Sequence, residues 1–204
     1  MQVERLLGQG GEPVLGPLLI TPRLFADPRG FFFESWNQVA FAAALEADGQ
    51  PANLAFVQDN HSRSAQGVLR GLHYQLPPHP QGKLVRCVVG AIWDLAVDLR
   101  RSSPSFGQWV AARLDADRHQ QLWIPAGFAH GFLVLSPCAE VLYKTTDLWT
   151  PACERAIHWA DPTLAIPWHA QLAGETAPQQ PLLSEKDSQA PTLAEAVAAG
   201  ALFP

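Results

Sequence analysis

A chain of 204 residues, 48% hydrophobic and 16% charged, has the material for one soluble domain with a full core. Its net charge of −5 at pH 7 lacks the basic stripe of a nucleic-acid binder, and no run approaches the roughly 18 apolar residues of a membrane span. Three cysteines, Cys87, Cys138 and Cys153, are an odd number without paired spacing. They suggest neither a disulfide framework nor a zinc knuckle, and a reduced cytoplasmic setting is expected. The N-terminus has no basic stretch followed by a long apolar one, so the chain reads as unprocessed.

In chain order, residues 1–12, running into the Gly8-Gln9-Gly10-Gly11-Glu12-Pro13 stretch, read as a flexible lead-in, with a first strand over Val14 to Ile20. Asp27-Pro28-Arg29-Gly30 has turn composition, and Phe31-Phe32-Phe33-Glu34 after it is strongly β-prone. Asn37 is an N-cap for a short helix through Phe41 and Leu45 that stops near Gly49. From Leu54 onward short apolar runs alternate with turn residues: Leu54 to Asn60, Val68 to Gln75, Lys83 to Val89, Ala91 to Leu99, Gln108 to Leu114, Gln121 to Ile124, Gly131 to Leu135, and Ala139 to Thr145. About one strand every ten residues, with almost no helical spacing between, predicts a mainly β jelly-roll-like barrel with a few short peripheral helices. The Pro-, Ala- and Gln-rich stretch 150–204 is expected to cover that barrel as part of a single 1–204 domain, with Pro191 in the first turn of a terminal helix carrying Leu193, Ala196 and Val197.

Within the strands, the polar residues are the informative ones, because burying them costs free energy unless they are paired or used. Gly67 to Gln75 reads Gly-Val-Leu-Arg-Gly-Leu-His-Tyr-Gln. Strict alternation places Leu69, Gly71, His73 and Gln75 on one face and Val68, Arg70, Leu72 and Tyr74 on the other. A site using both Arg70 and His73 therefore requires a bulge, and Gly71 is the residue to make it. Lys83 shares a face with Val85 and Cys87, either lining the barrel or ending the strand in solvent. Arg86, Asp94 and Asp98 are read as structural salt bridges.

His73 is either a satisfied structural residue or a functional one. There is no His-x-His pair with a following glutamate to hold a metal, and no Gly-x-Ser-x-Gly elbow for a hydrolase. Metal-free acid–base chemistry remains, with a histidine that titrates near neutrality, a tyrosine such as Tyr143 to exchange a proton, and cations to stabilise an oxyanion. Tyr143 has an equal structural reading as a barrel-lining aromatic.

The run Arg29-Gly30-Phe31-Phe32-Phe33-Glu34, then Phe56-Val57-Gln58-Asp59-Asn60-His61-Ser62 and Val68 to Gln75, resembles the dTDP-4-dehydrorhamnose 3,5-epimerases. The resemblance continues through Gln81 to Cys87, Ser103 to Gly107, Leu122 to Pro125, Gly127 to Phe132, Tyr143 to Thr146 and Leu183 to Asp187, nearly the whole chain after residue 13. It implies a cupin-type jelly roll without metal or other cofactor, usually a homodimer, acting on a dTDP-linked 4-keto-6-deoxyhexose. The implied reaction inverts C3 and C5 of dTDP-4-dehydro-6-deoxy-D-glucose to give dTDP-4-dehydro-L-rhamnose. By the same resemblance His73 is the base, Tyr143 the acid, Asp187 the carboxylate that orients His73, and Lys83, Arg70 and His130 surround the sugar. Arg29, Glu34, Gln58 and Asn60 fall on positions that contact dTDP, with Phe32 as a stacking surface for thymine. After Lys144-Thr145-Thr146 many relatives carry paired aromatics where this chain has Leu148-Trp149. That departure keeps open a monofunctional 3- or 5-epimerase. A non-catalytic sugar-nucleotide-binding cupin and a metal-dependent cupin are the readings outside this activity.

Overall fold

The computed structural model describes residues 1–172 and 178–204. The chain begins with a hairpin of β1 (Gln2–Leu7) and β2 (Pro13–Thr21) and a small one of β3 (Phe25–Asp27) and β4 (Gly30–Phe32), followed by α1 (Gln38–Ala47). Eight strands come next: β5 (Gln58–Ala65), β6 (Leu69–Gln75), β7 (Lys83–Val89), β8 (Ala91–Asp98), β9 (Trp109–Asp115), β10 (Gln121–Ile124), β11 (Phe128–Val134) and β12 (Cys138–Thr145). The final stretch carries β13 (Glu154–Ala156), α2 (Trp168–Gln171), α3 (Glu185–Ser188) and α4 (Leu193–Ala198). A six-stranded sheet, β1-β2-β10-β7-β12-β5, packs on a five-stranded one, β13-β6-β11-β8-β9, and the pairings within both are antiparallel. This is the jelly roll expected of the strand spacing, of the cupin type that the resemblance implies.

Three apolar layers follow from which face each strand buries. Between the sheets lie Val85, Cys87, Ile92, Ala96, Leu122 and Phe132. Outside the five-stranded sheet, Leu69, Leu72, Tyr74, Trp93, Leu95 and Val97 meet Ile157, Trp168, Leu193 and Phe203 from the C-terminal stretch. Outside the six-stranded sheet, Leu18, Leu84 and Trp123 receive Phe41 and Leu45 of α1. Strand β8 is covered on both faces, so every residue of it is buried, and truncating one of its large apolar side chains costs about 2–5 kcal/mol.

Several boundaries differ from expectation for physical reasons. Residues 2–7, read as lead-in, form a strand paired with β2. The expected strand at Leu54 to Asn60 begins instead at Gln58, and Ala52, Leu54 and Phe56 pack against the α1 layer. Their alternation reflects that packing rather than a ladder. In α4 the N-cap is Thr192, in a reciprocal capping box with Glu195, so Pro191 precedes the helix rather than starting it. Asn37 caps α1 as expected, its side chain accepting from the Ala40 N–H at 3.1 Å.

Strand β6 contains the bulge. Across the β6–β11 ladder His73 pairs with His130 while Arg70 pairs with Phe132, a step of three residues against two. Gly71 makes the step at φ +132°. A Cβ there would lie 2.5 Å from the Gly131 Cα and 2.8 Å from the His130 carbonyl oxygen, so only glycine fits. With the extra residue, Leu69, Leu72 and Tyr74 keep the outer face, and Arg70 and His73 both turn inward.

Candidate active site

The inward turn opens a cavity of about 240 Å³ lined by Ser62, Arg70, His73, Lys83, His130, Phe132 and Tyr143. Its two walls come from different sheets. β6 and β11 supply Arg70, His73, His130 and Phe132; β5, β7 and β12 supply Ser62, Lys83 and Tyr143. A larger cleft of about 640 Å³ lies outside the barrel between Leu15, Leu54 and Trp123. Its arginines, Arg5 and Arg100, are already paired with Asp48 and Asp98, and it gathers no comparable acid–base set.

The His73 Nε2 lies 2.6 Å from Asp187 Oδ1, across 114 residues of chain. Asp187 sits in the first turn of α3, where its own N–H donates to the Ser184 hydroxyl oxygen at 3.1 Å. Burial works to raise the Asp187 pKa, but His73, Ser184 and the Gly71 N–H together hold it below the usual carboxylate range. An ionised carboxylate can only accept, so Nε2 carries a proton, and in the neutral ring Nδ1 is the nitrogen with the lone pair. The imidazole is 29% exposed and its carboxylate 5%, which leaves the ring accessible while its partner is enclosed.

Lys83 is buried, and its Nζ donates to the His73 carbonyl oxygen at 3.2 Å. Burial pulls its pKa down to about 8, with Glu154 and Asp94 opposing the shift. Tyr143 is shifted upward, mainly by burial, with Arg70 opposing and Glu154 reinforcing. Arg70 donates from Nε to the Ser64 hydroxyl oxygen at 3.0 Å.

A second pair joins the set. His130 Nε2 lies 2.6 Å from Asp94 Oδ1, and Asp94 Oδ2 is buried without a hydrogen-bond partner among the described residues. The pair expected of Asp94 is thus made with a histidine of the cavity wall. Asp98 forms its salt bridge with Arg100 at 2.7 Å, whereas Arg86 makes no ion pair among the described residues. A lone carboxylate on the inner face of an otherwise apolar strand was the available signal for Asp94. Ser62 and Phe132, both in the cavity wall, carry none.

Residues 12–195 match the family model described as dTDP-4-dehydrorhamnose 3,5-epimerase. The chain belongs to this family. A dTDP-4-dehydrorhamnose 3,5-epimerase of Pseudomonas aeruginosa is 60% identical over 179 residues, 88% of this chain and 92% of that one. The dTDP-4-dehydrorhamnose 3-epimerase of Streptomyces niveus is 42% identical over 183 residues, 90% of this chain and 82% of that one. Among solved structures, the dTDP-6-deoxy-D-glucose-3,5-epimerase of Legionella pneumophila in complex with dTDP-4-keto-L-rhamnose superposes with a TM-score of 0.83 at 42% identity, covering 99% of this chain and 98% of that one. The chain is therefore an isomerase by family.

Within this epimerase-family chain the expected nucleotide contacts divide. Gln58 and Asn60 are hydrogen-bonded to each other at 2.8 Å, and Asn60 is the register partner of Tyr143 on the neighbouring strand, though neither lines the cavity itself. Arg29, Phe32 and Glu34 do not line it. Arg29 is paired with Asp27 on the β3–β4 turn, Phe32 is 67% exposed on the same hairpin, and Glu34 accepts from the Asn37 amide at 3.2 Å. Among the described residues, no helix is long and apolar enough to cross a membrane.

Proposed function

We propose that this chain epimerises C3 and C5 of dTDP-4-dehydro-6-deoxy-D-glucose to dTDP-4-dehydro-L-rhamnose, with His73 as base and Tyr143 as acid. The observation that carries the reading is the His73–Asp187 pair, which leaves one imidazole nitrogen free in a cavity whose opposite wall holds Tyr143. The C4 ketone acidifies the C–H bonds at both neighbouring carbons. His73 Nδ1 takes a proton from one of them, and the electron pair moves to the C4 oxygen as an enolate. Lys83 and Arg70 donate to that oxygen, with His130 beside them in the cavity wall, and fixed cations in a dry site stabilise developing charge most. Tyr143 delivers a proton from the other face, inverting the carbon. The proton on His73 then leaves to solvent and Tyr143 is reprotonated, so a second round acts on the other carbon.

The enzyme acts in this reading as a cytoplasmic homodimer. Arg29, Phe32 and Glu34 lie away from their own cavity on a hairpin whose Phe25, Phe31 and Phe32 are exposed, a surface suited to completing a partner's dTDP subsite. An arginine fork binds diphosphate oxygens bidentately. Neither the His73–Asp187 pair nor Tyr143 depends on a bound metal for these roles.

A single-position epimerase is the second reading, favoured by Leu148 and Trp149, 56% and 57% exposed, at the place where the resemblance leads one to expect paired aromatics. Turnover of the 4-keto sugar nucleotide in D₂O separates the two. Deuterium at both C3 and C5 is expected; deuterium at one carbon alone selects the second reading. Tight dTDP binding with exchange at neither carbon would instead mark a non-catalytic binding module.

A further inference from the structure

Asp187 has to hold its oxygen at hydrogen-bond distance from a ring on another element, yet α3, which carries it, is a single turn of four residues. One turn of helix has almost no stability of its own. Upstream, the chain is fixed to β6 by the Leu69 N–H donating to the Leu182 carbonyl at 2.9 Å and the Leu182 N–H to the Gly67 carbonyl at 2.7 Å. The residue next to Asp187 supplies a second tether. Lys186 Nζ lies 2.5 Å from Glu154 Oε2.

Glu154 opens β13, the strand that borders β6; in that ladder Glu154 pairs with Gln75 and Ala156 with His73. The four side chains therefore close a ring: His73 to Asp187, Lys186 beside it, Lys186 to Glu154, and Glu154 back through the ladder to the strand of His73. We infer that the Glu154–Lys186 ion pair is a positioning device that holds the α3 turn so that Asp187 keeps the His73 ring in its working orientation. The inference rests on the epimerase reading above.

Three observations favour positioning over a chance surface pair. Glu154 is well enclosed, its side chain 18% exposed, and Lys186, 56% exposed, reaches in to it from the surface. Burial works to raise its pKa, but Lys186, the Trp149 indole N–H and the nearby His73 outweigh that and hold it below the usual carboxylate range. It is thus an anion at neutral pH. Glu154 also stands near enough to act electrostatically on both Lys83 and Tyr143. Left without Lys186, it would add bare negative charge beside a cavity meant for an anionic sugar nucleotide. The charged and titratable groups around His73 are otherwise Asp187, Lys83, Arg70, His130 and Tyr143, none of which ties α3 to β13.

The test uses full-length Lys186→Met, Glu154→Gln, the double variant and Lys186→Arg, measured for kcat, KM, the pH profile of kcat/KM and the urea midpoint. A small misplacement of a catalytic group costs about 10- to 100-fold in rate. Each single variant is expected to lose about 10-fold or more in kcat, with KM nearly unchanged in Glu154→Gln and raised in Lys186→Met, where Glu154 is left bare beside the cavity. The double variant loses no more than either single one, because both remove the same tether. Lys186→Arg, which keeps the charge, recovers most of the loss, and the urea midpoint barely moves. Additive losses in the double variant overturn the inference. So does an unchanged plateau in kcat with the acid limb shifting in opposite directions in the two single variants, which marks Glu154 as a field effect only. Wild-type kcat in both single variants, while His73→Ala is inactive, overturns it and leaves the epimerase reading standing. A wild-type chain without exchange removes that reading itself.

Discussion

His73 and His130 are cross-strand partners on β6 and β11, and each holds its Nε2 2.6 Å from its own carboxylate oxygen. The two pairs are not equivalent. The His73 ring is 29% exposed and its Asp187 rides on a short turn, whereas His130 is 9% exposed and Asp94 fully buried. A base that must return its proton to solvent suits the first environment. A fixed hydrogen-bond donor suits the second.

Replacing the orienting carboxylate should cost rate rather than binding. Asp187→Asn keeps the shape but lets the amide compete for the wrong tautomer, and a loss of about 10²- to 10⁴-fold in kcat is expected. Steady-state kinetics together with dTDP titration check this. Equal losses in dTDP affinity would point to a collapsed site instead.

Lys83 sets a pH dependence with a definite sign. Its folded pKa of about 8 lies below its ordinary 10.5 because burial disfavours the ammonium. Between those values the unfolded chain holds a proton that the folded chain has released, so the stability contribution rises with pH through this window and the cost of the buried charge is fully present below about 8. Activity should move the other way, since the ammonium is the donor to the C4 oxygen: kcat/KM falls above about pH 8. Lys83→Met should lose that limb, lose about 10²- to 10³-fold in kcat, and flatten the stability slope. Denaturation and kinetics from pH 7 to 10.5 measure both.

The bulge can be tested at its one permissive residue. Gly71→Ala brings a Cβ within 2.5 Å of the Gly131 Cα at a backbone angle that alanine rarely adopts. A loss of about 1–3 kcal/mol is expected, since strain at such angles is of that order. Activity should fall further than stability because Arg70 and His73 lose their common face. Urea denaturation and turnover measured on the same variant check the two effects.

The hairpin residues belong to binding in this account. Arg29→Ala should raise KM severalfold and leave kcat nearly unchanged, because it removes an interaction common to ground and transition states. Mixing it with His73→Ala should restore some turnover if each cavity takes Arg29 from its partner. Steady-state kinetics of the mixture read this directly.

Much of the fold was legible from periodicity: the strands from Lys83 to Ile124 and the Asn37-capped helix carry clean apolar patterns and turn residues. Strand β5 lay elsewhere than the apolar pattern suggested because its inward residues, Gln58, Asn60, Ser62 and Ser64, are all polar, which leaves no hydrophobic alternation to mark a strand. The bulge could be predicted from Gly71 alone. The His73–Asp187 pairing could not be read from spacing, since it joins a strand to a four-residue turn 114 residues away; only the family resemblance pointed to it. The partner of Asp94, His130 on the neighbouring strand, was not legible because a residue type does not name its partner. Glu154 sits in a three-residue strand too short to carry any period.

The central claim is that a single histidine serves both carbons. Incubating His73→Ala with the 4-keto sugar nucleotide in D₂O and reading deuterium at C3 and C5 by NMR tests it most directly. Exchange should vanish at both positions while dTDP still binds. Exchange persisting at either carbon at a rate near that of the unaltered chain would contradict it and assign that carbon to another base.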